Sequence, residues 1–277
     1  MSRSTATTGP DAGKRVEPPS ILAIETANLN GFPARMQRAD GSWLSRLSPG
    51  VPARRVNSLN VFDPHDDDRL AARLAETQAL YARHDVVFHL RHTPLTPPAL
   101  TAHADAMGWL SAGETDVWTC PVPDAETAPE HVRAARPEIS DCSLADWLDA
   151  FVRVGGTRPE TVAPDAVEHL GAALARIAAR RICLVARAAD GAPVAVAIAV
   201  ADRDLIGIYD LAVDPLVRRQ GLGARMVRAC LEQGRRLGCR TAWLQVVREN
   251  GAARALYRRC GFEDAYSYHY RFPPPGG

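Results

Sequence analysis

The sequence lacks the features that mark several classes of protein. Its longest uninterrupted apolar run, Val194–Ala201, is far shorter than the roughly 20 residues that a membrane-spanning helix needs. No Cys-x-x-Cys pair occurs among its 6 cysteines, so no zinc site is indicated. The first residues contain no apolar segment typical of secretion. These absences predict a cytoplasmic protein with no metal and no membrane partner.

The sequence also lacks a strong charge of either sign. Its formal net charge is +1, which argues against nucleic acid as a partner. Basic residues are almost all arginine, with Lys14 the only lysine. A hydrophobic content of 46% and a charged content of 23% are ordinary for a globular protein, and 277 residues suffice for one large or two modest domains.

The most informative segment that is present lies between an apolar strand and an amphipathic helix. Leu205–Val213 is typical of a mostly buried strand, and apolar residues after Gly223 recur at helical spacing. Gly221 and Gly223 therefore stand where a loop becomes a helix N-terminus. Free backbone N–H groups and the helix dipole make such a terminus a site for an anion, and glycine lets a phosphate approach the backbone closely.

Three phosphate ligands compete for this loop. A P-loop would need Lys followed by Ser or Thr after the second glycine, and neither is present. A dinucleotide fingerprint would need a third glycine where Met226 stands. The pyrophosphate of coenzyme A is left. The run Arg218-Arg219-Gln220-Gly221-Leu222-Gly223 resembles the Arg/Gln-x-x-Gly-x-Gly/Ala signature of the GNAT superfamily of N-acetyltransferases.

A second motif strengthens the resemblance, which covers roughly residues 182–272. A predicted strand, Thr241–Val247, is followed by Asn250-x-x-Ala253-x-x-Leu256-Tyr257-x-x-x-Gly261-Phe262, as in that superfamily. The resemblance implies an acetyl-CoA-dependent N-acetyltransferase that moves the acetyl group directly to an amine of unknown identity. The alternative is a non-catalytic acyl-CoA sensor or partner-binding protein on the same fold.

The resemblance also implies where the coenzyme binds. Strands Tyr209–Val213 and Thr241–Val246 are expected to diverge, with the pantetheine arm in the gap. Asn250 is expected to cap the following helix and to reach the coenzyme. The remaining coenzyme-binding residues are expected to be Leu211, Ala212 and Val213 along the strand, and Arg218, Arg219, Gln220, Gly221, Leu222, Gly223 and Ala224 around the pyrophosphate.

Tyr257 is the catalytic acid that the resemblance implies, with its hydroxyl at the coenzyme sulfur. The base is less clear, because Gln245 stands where relatives acting on protein N-termini often carry Glu, and an amide cannot take a proton at neutral pH. Asp210 is the nearest carboxylate, with Tyr209 and Leu211 expected on the opposite face of the strand. Other candidates are Glu249, the strand Tyr266–Tyr270, or a water relay.

The chain is predicted to hold two copies of one α/β fold, a tandem of GNAT-like units with mostly antiparallel sheets flanked by helices. The proposed boundaries are a disordered tail at 1–19, a degenerate copy at 20–120, a linker at 121–137, the transferase domain at 138–272 and a tail at 273–277. In both copies an Asp-Pro follows a strand, a helix follows, and the next strand is Val86–Leu90 or Ala242–Val246. The first copy has His65-Asp-Asp-Asp-Arg69 in place of the phosphate loop, and these carboxylates would repel a pyrophosphate.

The acceptor side is expected to include two helices, Leu144–Val154 and Ala166–Ala179, and the loop Gly155–Thr161 as a lid. Residues 121–170 carry ten acids against four arginines, which favours a cationic amine by electrostatic steering. Because a tandem supplies its own contacts between copies, a monomer is favoured, with a dimer left open.

Overall fold

The computed structural model describes residues 18–123, 137–155 and 164–275. In these ranges the helices are α1 Ile21–Gly31, α2 Leu70–Arg83, α3 Pro98–Ala106, α4 Leu144–Gly155, α5 Pro164–Ala175, α6 Leu222–Arg236 and α7 Gly251–Arg259. The strands are β1 Met36–Asp40, β2 Trp43–Leu47, β3 Ser58–Val61, β4 Leu90–His92, β5 Leu110–Pro121, β6 Glu138–Asp141, β7 Arg180–Arg187, β8 Pro193–Asp202, β9 Leu205–Val213, β10 Thr241–Val247 and β11 Glu263–Phe272. Most of the proposed linker, lid and N-terminal tail, and residues 276–277 of the proposed C-terminal tail, lie outside the described residues.

The described strands form one continuous mixed sheet in the order β1-β2-β3-β4-β11-β5-β10-β9-β8-β7-β6. The pairing is antiparallel except for two parallel pairs, β3 with β4 and β9 with β10. Helices cover both faces of the sheet. The predicted α/β class with a mostly antiparallel sheet is confirmed. No helix in the described part of the chain is long and apolar enough to cross a membrane.

The strand order is nearly symmetric about the β11–β5 pair. The first half of the chain, with β1 to β5, and the second half, with β6 to β11, each contain a parallel pair joined through a helix, β3-α2-β4 and β9-α6-β10. In each half a shorter helix then leads into a long strand. Those two long strands are exchanged: β5 lies between β11 and β10, and β11 lies between β4 and β5. The symmetry supports the predicted repeat, which stays a prediction, and the exchange places the end of each half inside the sheet of the other.

Two apolar layers sandwich the second half of the sheet. On one face α6 buries Met226, Val227 and Cys230 against the strands, while its arginines lie on the opposite side of the helix. On the other face α4 buries Trp147 and Phe151, whose rings stack 4.9 Å apart. This second face is also covered by α1, which approaches β9 from the first half.

The expected strand Val86–Leu90 is wrong for all but its last residue, since β4 is Leu90–His92. The alternation that suggested it is real, because Val86 and Phe88 are buried and Val87 is 70% exposed. Alternation of apolar and polar residues indicates only that every second side chain is buried. An extended segment can bury every second side chain without pairing with another strand. The helix expected to reach Ala179 ends at Ala175.

A buried ion pair within the first half is completed by side chains of the second half. The guanidinium of Arg91 on β4 donates two hydrogen bonds of 2.8 Å to Glu25 on α1, and both side chains are almost fully buried. Tyr266 on β11 donates a 2.5 Å hydrogen bond to the same carboxylate. The ring of Tyr268 lies 3.3 Å from the Arg91 guanidinium carbon. Burial by itself would raise the pKa of Glu25, but the charge and hydrogen bonds of Arg91 and the Tyr266 hydroxyl lower it below its usual 4.5.

We expect Glu25→Gln to lower the free energy of unfolding by about 3–5 kcal/mol, because it leaves the Arg91 charge buried without a counter-ion. Urea unfolding at pH 7 measures the change. Glu76→Gln is the matched control, since Glu76 is 55% exposed and its ion pairs with Arg38 and Arg69 are at least 3.8 Å long. Equal effects of the two substitutions would contradict the role given to the pair.

The same pair predicts a dependence of stability on pH. Because the pKa of Glu25 is lowered by folding, its contribution is fully present above pH 4.5 and is lost as the pH falls through the folded-state value. The difference in unfolding free energy between the wild type and Glu25→Gln should therefore shrink on acidification below pH 4.5. A difference that grows in acid would contradict the sign.

Candidate active site

One extra residue in β9 sets which side chains face which side of the sheet. Asp210 and Leu211 of β9 both lie opposite a single residue of β8, Ala197. This pairing of two residues against one is a β-bulge, and Asp210 in it has a left-handed φ of +47°. A bulge reverses the facing of the residues after it. Leu211 and Val213 therefore pack towards α6, in the apolar layer opposite α1.

The backbone at the bulge is supported from α4. The indole of Trp147 donates a 3.0 Å hydrogen bond to the carbonyl of Ala197, the residue that the bulge faces. Trp147 is fully buried, so this bond holds the bulge against a rigid helix.

Beyond the bulge, β9 and β10 diverge as predicted. Their parallel pairing ends at Leu244 opposite Ile208, and the last three residues of β10 have no partner on β9. A cavity of about 960 Å³ opens at this point on the α6 and α7 side. Except for Gln220, every predicted coenzyme-binding residue lines it: Leu211, Ala212, Val213, Arg218, Arg219, Gly221, Leu222, Gly223, Ala224, Asn250 and Tyr257.

The loop before α6 presents backbone and positive charge to this cavity. Arg219 and Gly221 have left-handed φ values of 63° and 79°. Gly221 occupies the N-cap position and has no side chain to cap the first turn of α6. Arg218 and Arg219 line the cavity together with Arg259, a residue that the motifs did not indicate. The arrangement is a ready site for an anion.

Gly223 lets α6 and α7 come together at the cavity. A Cβ at this position would lie 3.1 Å from Leu256 on α7, closer than ordinary van der Waals contact. Asn250 caps α7 as predicted, because its side-chain oxygen accepts a 3.1 Å hydrogen bond from the backbone N–H of Ala253. Tyr257 lies two turns further along α7 and is 9% exposed where it lines the cavity.

A strand from the first half supports α7 from below. Asp116 on β5 pairs with Arg254 on α7 and, at 3.0 Å, with Arg248 after β10. The hydroxyl of Ser267 on β11 donates a 2.9 Å hydrogen bond to the same carboxylate. The ring of Trp118 lies about 5 Å beneath the guanidinium groups of Arg254 and Arg258. The sequence analysis missed Asp116, for which the only signal was an acid inside an apolar strand.

Asp210 lies on the opposite face of the sheet, away from the first cavity. Its carboxylate is 3.8 Å from Nη2 of Arg55, a residue of the first half, and its side chain is 15% exposed. Oδ2 is buried and has no hydrogen-bond partner among the described residues. The expectation that Tyr209 points to the opposite face from Asp210 is wrong: Tyr209 packs towards α1, on the side of the Asp210–Arg55 pair, because the bulge at Asp210 and Leu211 breaks the alternation of the strand.

Gln245 is fixed by hydrogen bonds on this same face. Its amide donates a 2.8 Å hydrogen bond to Asn28 on α1, and its side-chain oxygen accepts a 2.7 Å hydrogen bond from the Tyr268 hydroxyl. It therefore ties β10 to α1 and β11. Glu249 is exposed and lines neither cavity described here, so nothing in the geometry supports it as a base.

A second cavity, of about 1210 Å³, lies on the Gln245 face and is built from both halves. The second half contributes Gln245, Val247, Tyr268 and Tyr270, and the first half contributes loops within residues 48–57 and 85–89. Its charged or titratable lining residues are Arg54, Arg55, Asp85 and His89. None of the described acids of α4 and α5 lines this cavity, so the expected acidic acceptor wall stays a prediction.

Parts of the chain are similar in sequence to known acetyltransferases. The sequence model of the acetyltransferase (GNAT) family matches residues 144–262. A [ribosomal protein bS18]-alanine N-acetyltransferase from Escherichia coli K12 is 36% identical over 70 residues, which are 25% of this chain and 47% of that protein. The chain thus spans about half the length of that relative. An uncharacterized N-acetyltransferase, YobR of Bacillus subtilis, is 26% identical over 91% of this chain and 98% of its own.

Solved structures agree on the fold. A GCN5-related N-acetyltransferase from Kribbella flavida superimposes with a TM-score of 0.67 at 21% identity, over 92% of this chain and 96% of its own. A tandem GNAT protein from the clavulanic acid biosynthesis pathway has a TM-score of 0.66 at 16% identity, over 94% and 89%. At these identities the likeness shows the fold alone.

The left-handed backbone of Gly221 at the N-cap of α6 can be tested by substitution. Gly221→Ala should lower the free energy of unfolding by about 1–2 kcal/mol, since a Cβ is strained at a φ of 79° although the space around it is open. Urea unfolding measures the change. Gly251→Ala is the control, because Gly251 begins α7 without a left-handed φ and a Cβ there has open space; it should be neutral or stabilising. Destabilisation of both by the same amount would contradict the argument.

Proposed function

Residues 144–262 belong to the acetyltransferase (GNAT) family, and from this premise we propose that the chain is an N-acetyltransferase that moves an acetyl group from acetyl-CoA directly to an amine. The observation that carries the proposal is that two motifs, separated by a helix and a strand, line one cavity where β9 and β10 diverge.

The residues around the cavity fit acetyl-CoA. The phosphates would lie against the N-terminus of α6 and the guanidinium groups of Arg218, Arg219 and Arg259. The pantetheine arm would follow β9 at Leu211–Val213, on the side where β10 has separated from it, as an added strand does. A cavity of about 960 Å³ is in the range of ligand pockets. Bound acetyl-CoA supplies an acetyl group already activated as a thioester.

Tyr257 is proposed as the proton donor. Its helix is held between α6, through Gly223 and Leu256, and β5, through Asp116 and Arg254. A phenol, with an ordinary pKa of about 10, holds its proton at neutral pH and gives it to a thiolate of similar basicity. The buried position of Tyr257 in the cavity wall keeps the hydroxyl away from bulk water.

Asp210 is proposed as the proton acceptor on the opposite side of the sheet. The attacking amine must lose a proton, and Oδ2 of Asp210 is a buried carboxylate oxygen without a hydrogen-bond partner among the described residues. The bulge aims this carboxylate away from the coenzyme cavity, towards Arg55 and the side on which the second cavity lies. In this arrangement donor and acceptor of protons lie on opposite sides of the gap between β9 and β10.

The phosphate loop predicts one coenzyme site per chain. Calorimetric titration with acetyl-CoA should show one site, and Arg219→Glu should weaken binding by about 10- to 100-fold or more, since it replaces a charge-assisted hydrogen bond by repulsion. Arg228→Glu makes the same charge change at an exposed position of α6 outside the cavity and should bind like the wild type. No binding to the wild type at millimolar acetyl-CoA would contradict the proposal, and two sites per chain would contradict the degenerate first copy.

Tyr257→Phe should lower kcat by about 10²- to 10⁴-fold, the contribution typical of a general acid, with little change in acetyl-CoA affinity. Thiol release in the presence of a panel of amines measures turnover. Tyr81→Phe is the control, because it removes a hydroxyl of the first half that is hydrogen-bonded at β2, to the backbone of Arg46, and does not line the cavity at α6 and α7. Wild-type turnover by Tyr257→Phe would contradict the acid role, and binding of acetyl-CoA without turnover by the wild type would favour a non-catalytic acyl-CoA-binding protein.

A further inference from the structure

We propose that the cavity between the two halves binds acceptor amines that also carry an anionic group, a carboxylate or a phosphate. This inference rests on the proposed acyl transfer and names the substrate class for it. Four observations carry it: the position of the cavity, the unmet hydrogen-bonding capacity of its arginines, the surrounding charge, and the protonation state that the chemistry requires.

The cavity lies where an acceptor has to lie. Gln245 and Val247 line it from the part of β10 that has already separated from β9. These side chains project from the face opposite the coenzyme cavity, since Leu244 and Val246 belong to the α6 layer. Arg55, which also lines the cavity, touches Asp210. An amine in this cavity therefore faces the same gap as the proposed coenzyme, from the other side of the sheet.

Two guanidinium groups in the cavity have N–H groups without a hydrogen-bond acceptor among the described residues. Nη1 of Arg54 lies 3.4 Å from the position a Cβ on Gly113 would take, so the group reaches across to β5. Arg55 lies flat over the ring of Phe32, 3.8 Å from its centre, and 3.8 Å from Asp210. Neither guanidinium donates a hydrogen bond to any described residue. A planar guanidinium with free N–H groups is the side chain best suited to a carboxylate or phosphate.

The surroundings are also positive. Arg46 is buried behind the loop, donating to the backbone oxygens of Arg55 and Phe32, and its Nε has no partner among the described residues. Burial lowers the pKa of Arg46 to about 10, which leaves it charged at neutral pH. Asp85, the one acid in the described lining, is exposed. An excess of positive charge in a cleft attracts an anionic ligand.

The same charges suit the reactive end of the acceptor. An amine attacks only when it is neutral, and nearby like charges disfavour an ammonium ion. His89 shows this effect within the cavity, because burial and the charge of Arg54 lower its pKa below its usual 6.5. An anionic group held by Arg54 would thus anchor an acceptor whose amino group loses its proton readily beside Asp210.

Matched pairs of amines test the inference. Phenylalanine is compared with 2-phenylethylamine, 4-aminobutanoate with butylamine, and O-phosphoethanolamine with ethanolamine, using thiol release from acetyl-CoA. We expect kcat/KM to be about 10- to 100-fold higher for the member of each pair that carries the carboxylate or phosphate than for the member that lacks it. This is the size of one charge-assisted hydrogen bond. The carboxylate and phosphate pairs separate the two sources of anion.

Arg54→Gln should remove most of that preference. It should lower kcat/KM for the member with the carboxylate or phosphate, with a much smaller effect on the member without it. Arg240→Gln is the control, because Arg240 is exposed just before β10, at the end of the strand away from the cavity. Three results would overturn this inference and leave the coenzyme site standing. They are equal use of both members of each pair, preference for the members without the carboxylate or phosphate, and use of none of them while acetyl-CoA still binds. Failure of the wild type to bind acetyl-CoA would overturn the proposed function as well.

Discussion

The arrangement of the site depends on the single extra residue in β9. In a regular strand Leu211 and Val213 would face α1, and the side chain of Asp210 would face α6. The bulge reverses this, so that apolar side chains and the strand edge line the coenzyme cavity while the carboxylate lies on the other face. It also ends the regular ladder just where β9 leaves β10. One backbone irregularity, held by Trp147, thus separates the two proposed binding sites by the thickness of the sheet.

The exchange of β5 and β11 makes the two halves depend on each other. Asp116 and Trp118 of β5 support the helix that carries Tyr257, and Tyr266 of β11 completes the buried ion pair of Glu25 with Arg91. The second cavity takes one wall from each half. In the proposed mechanism, the half with the coenzyme motif therefore does not contain a whole site. It would take its acceptor wall, and it takes part of its support, from the half that lacks the motif.

Local patterns allowed some of this to be predicted from the sequence. The bounds of β9 and β10 and the start of α7 follow from runs of apolar residues, a capping Asn250 and glycines at fixed spacing. Which strands pair across the halves is not a local property, so neither the exchange nor the role of Asp116 was predicted. The facing of Tyr209 was wrong because alternation assumes an unbroken strand. The acidic acceptor wall stays a prediction, because charge counted along a segment does not say which side chains reach a cavity and four of the ten acids lie outside the described residues.

The first half has no coenzyme motif, and its acidic loop after β3 differs in charge from the arginine-rich loop before α6. In the loop after β3, Asp66 accepts hydrogen bonds of 2.8 Å from the backbone N–H and hydroxyl of Ser42 and is paired with Arg73. Arg73 chiefly lowers the pKa of this carboxyl to about 2, so the protein supplies its own permanent anion there. The donors to this carboxylate, from Ser42 and Arg73, are the protein's own. The arginines with free donors lie instead in the segment before β3, at Arg54 and Arg55, where they face the cavity shared with the second half. The first half therefore has the strand–helix–strand order of the second, carries a carboxylate after β3 where the predicted repeat would place a phosphate loop, and directs Arg54 and Arg55 towards the shared cavity.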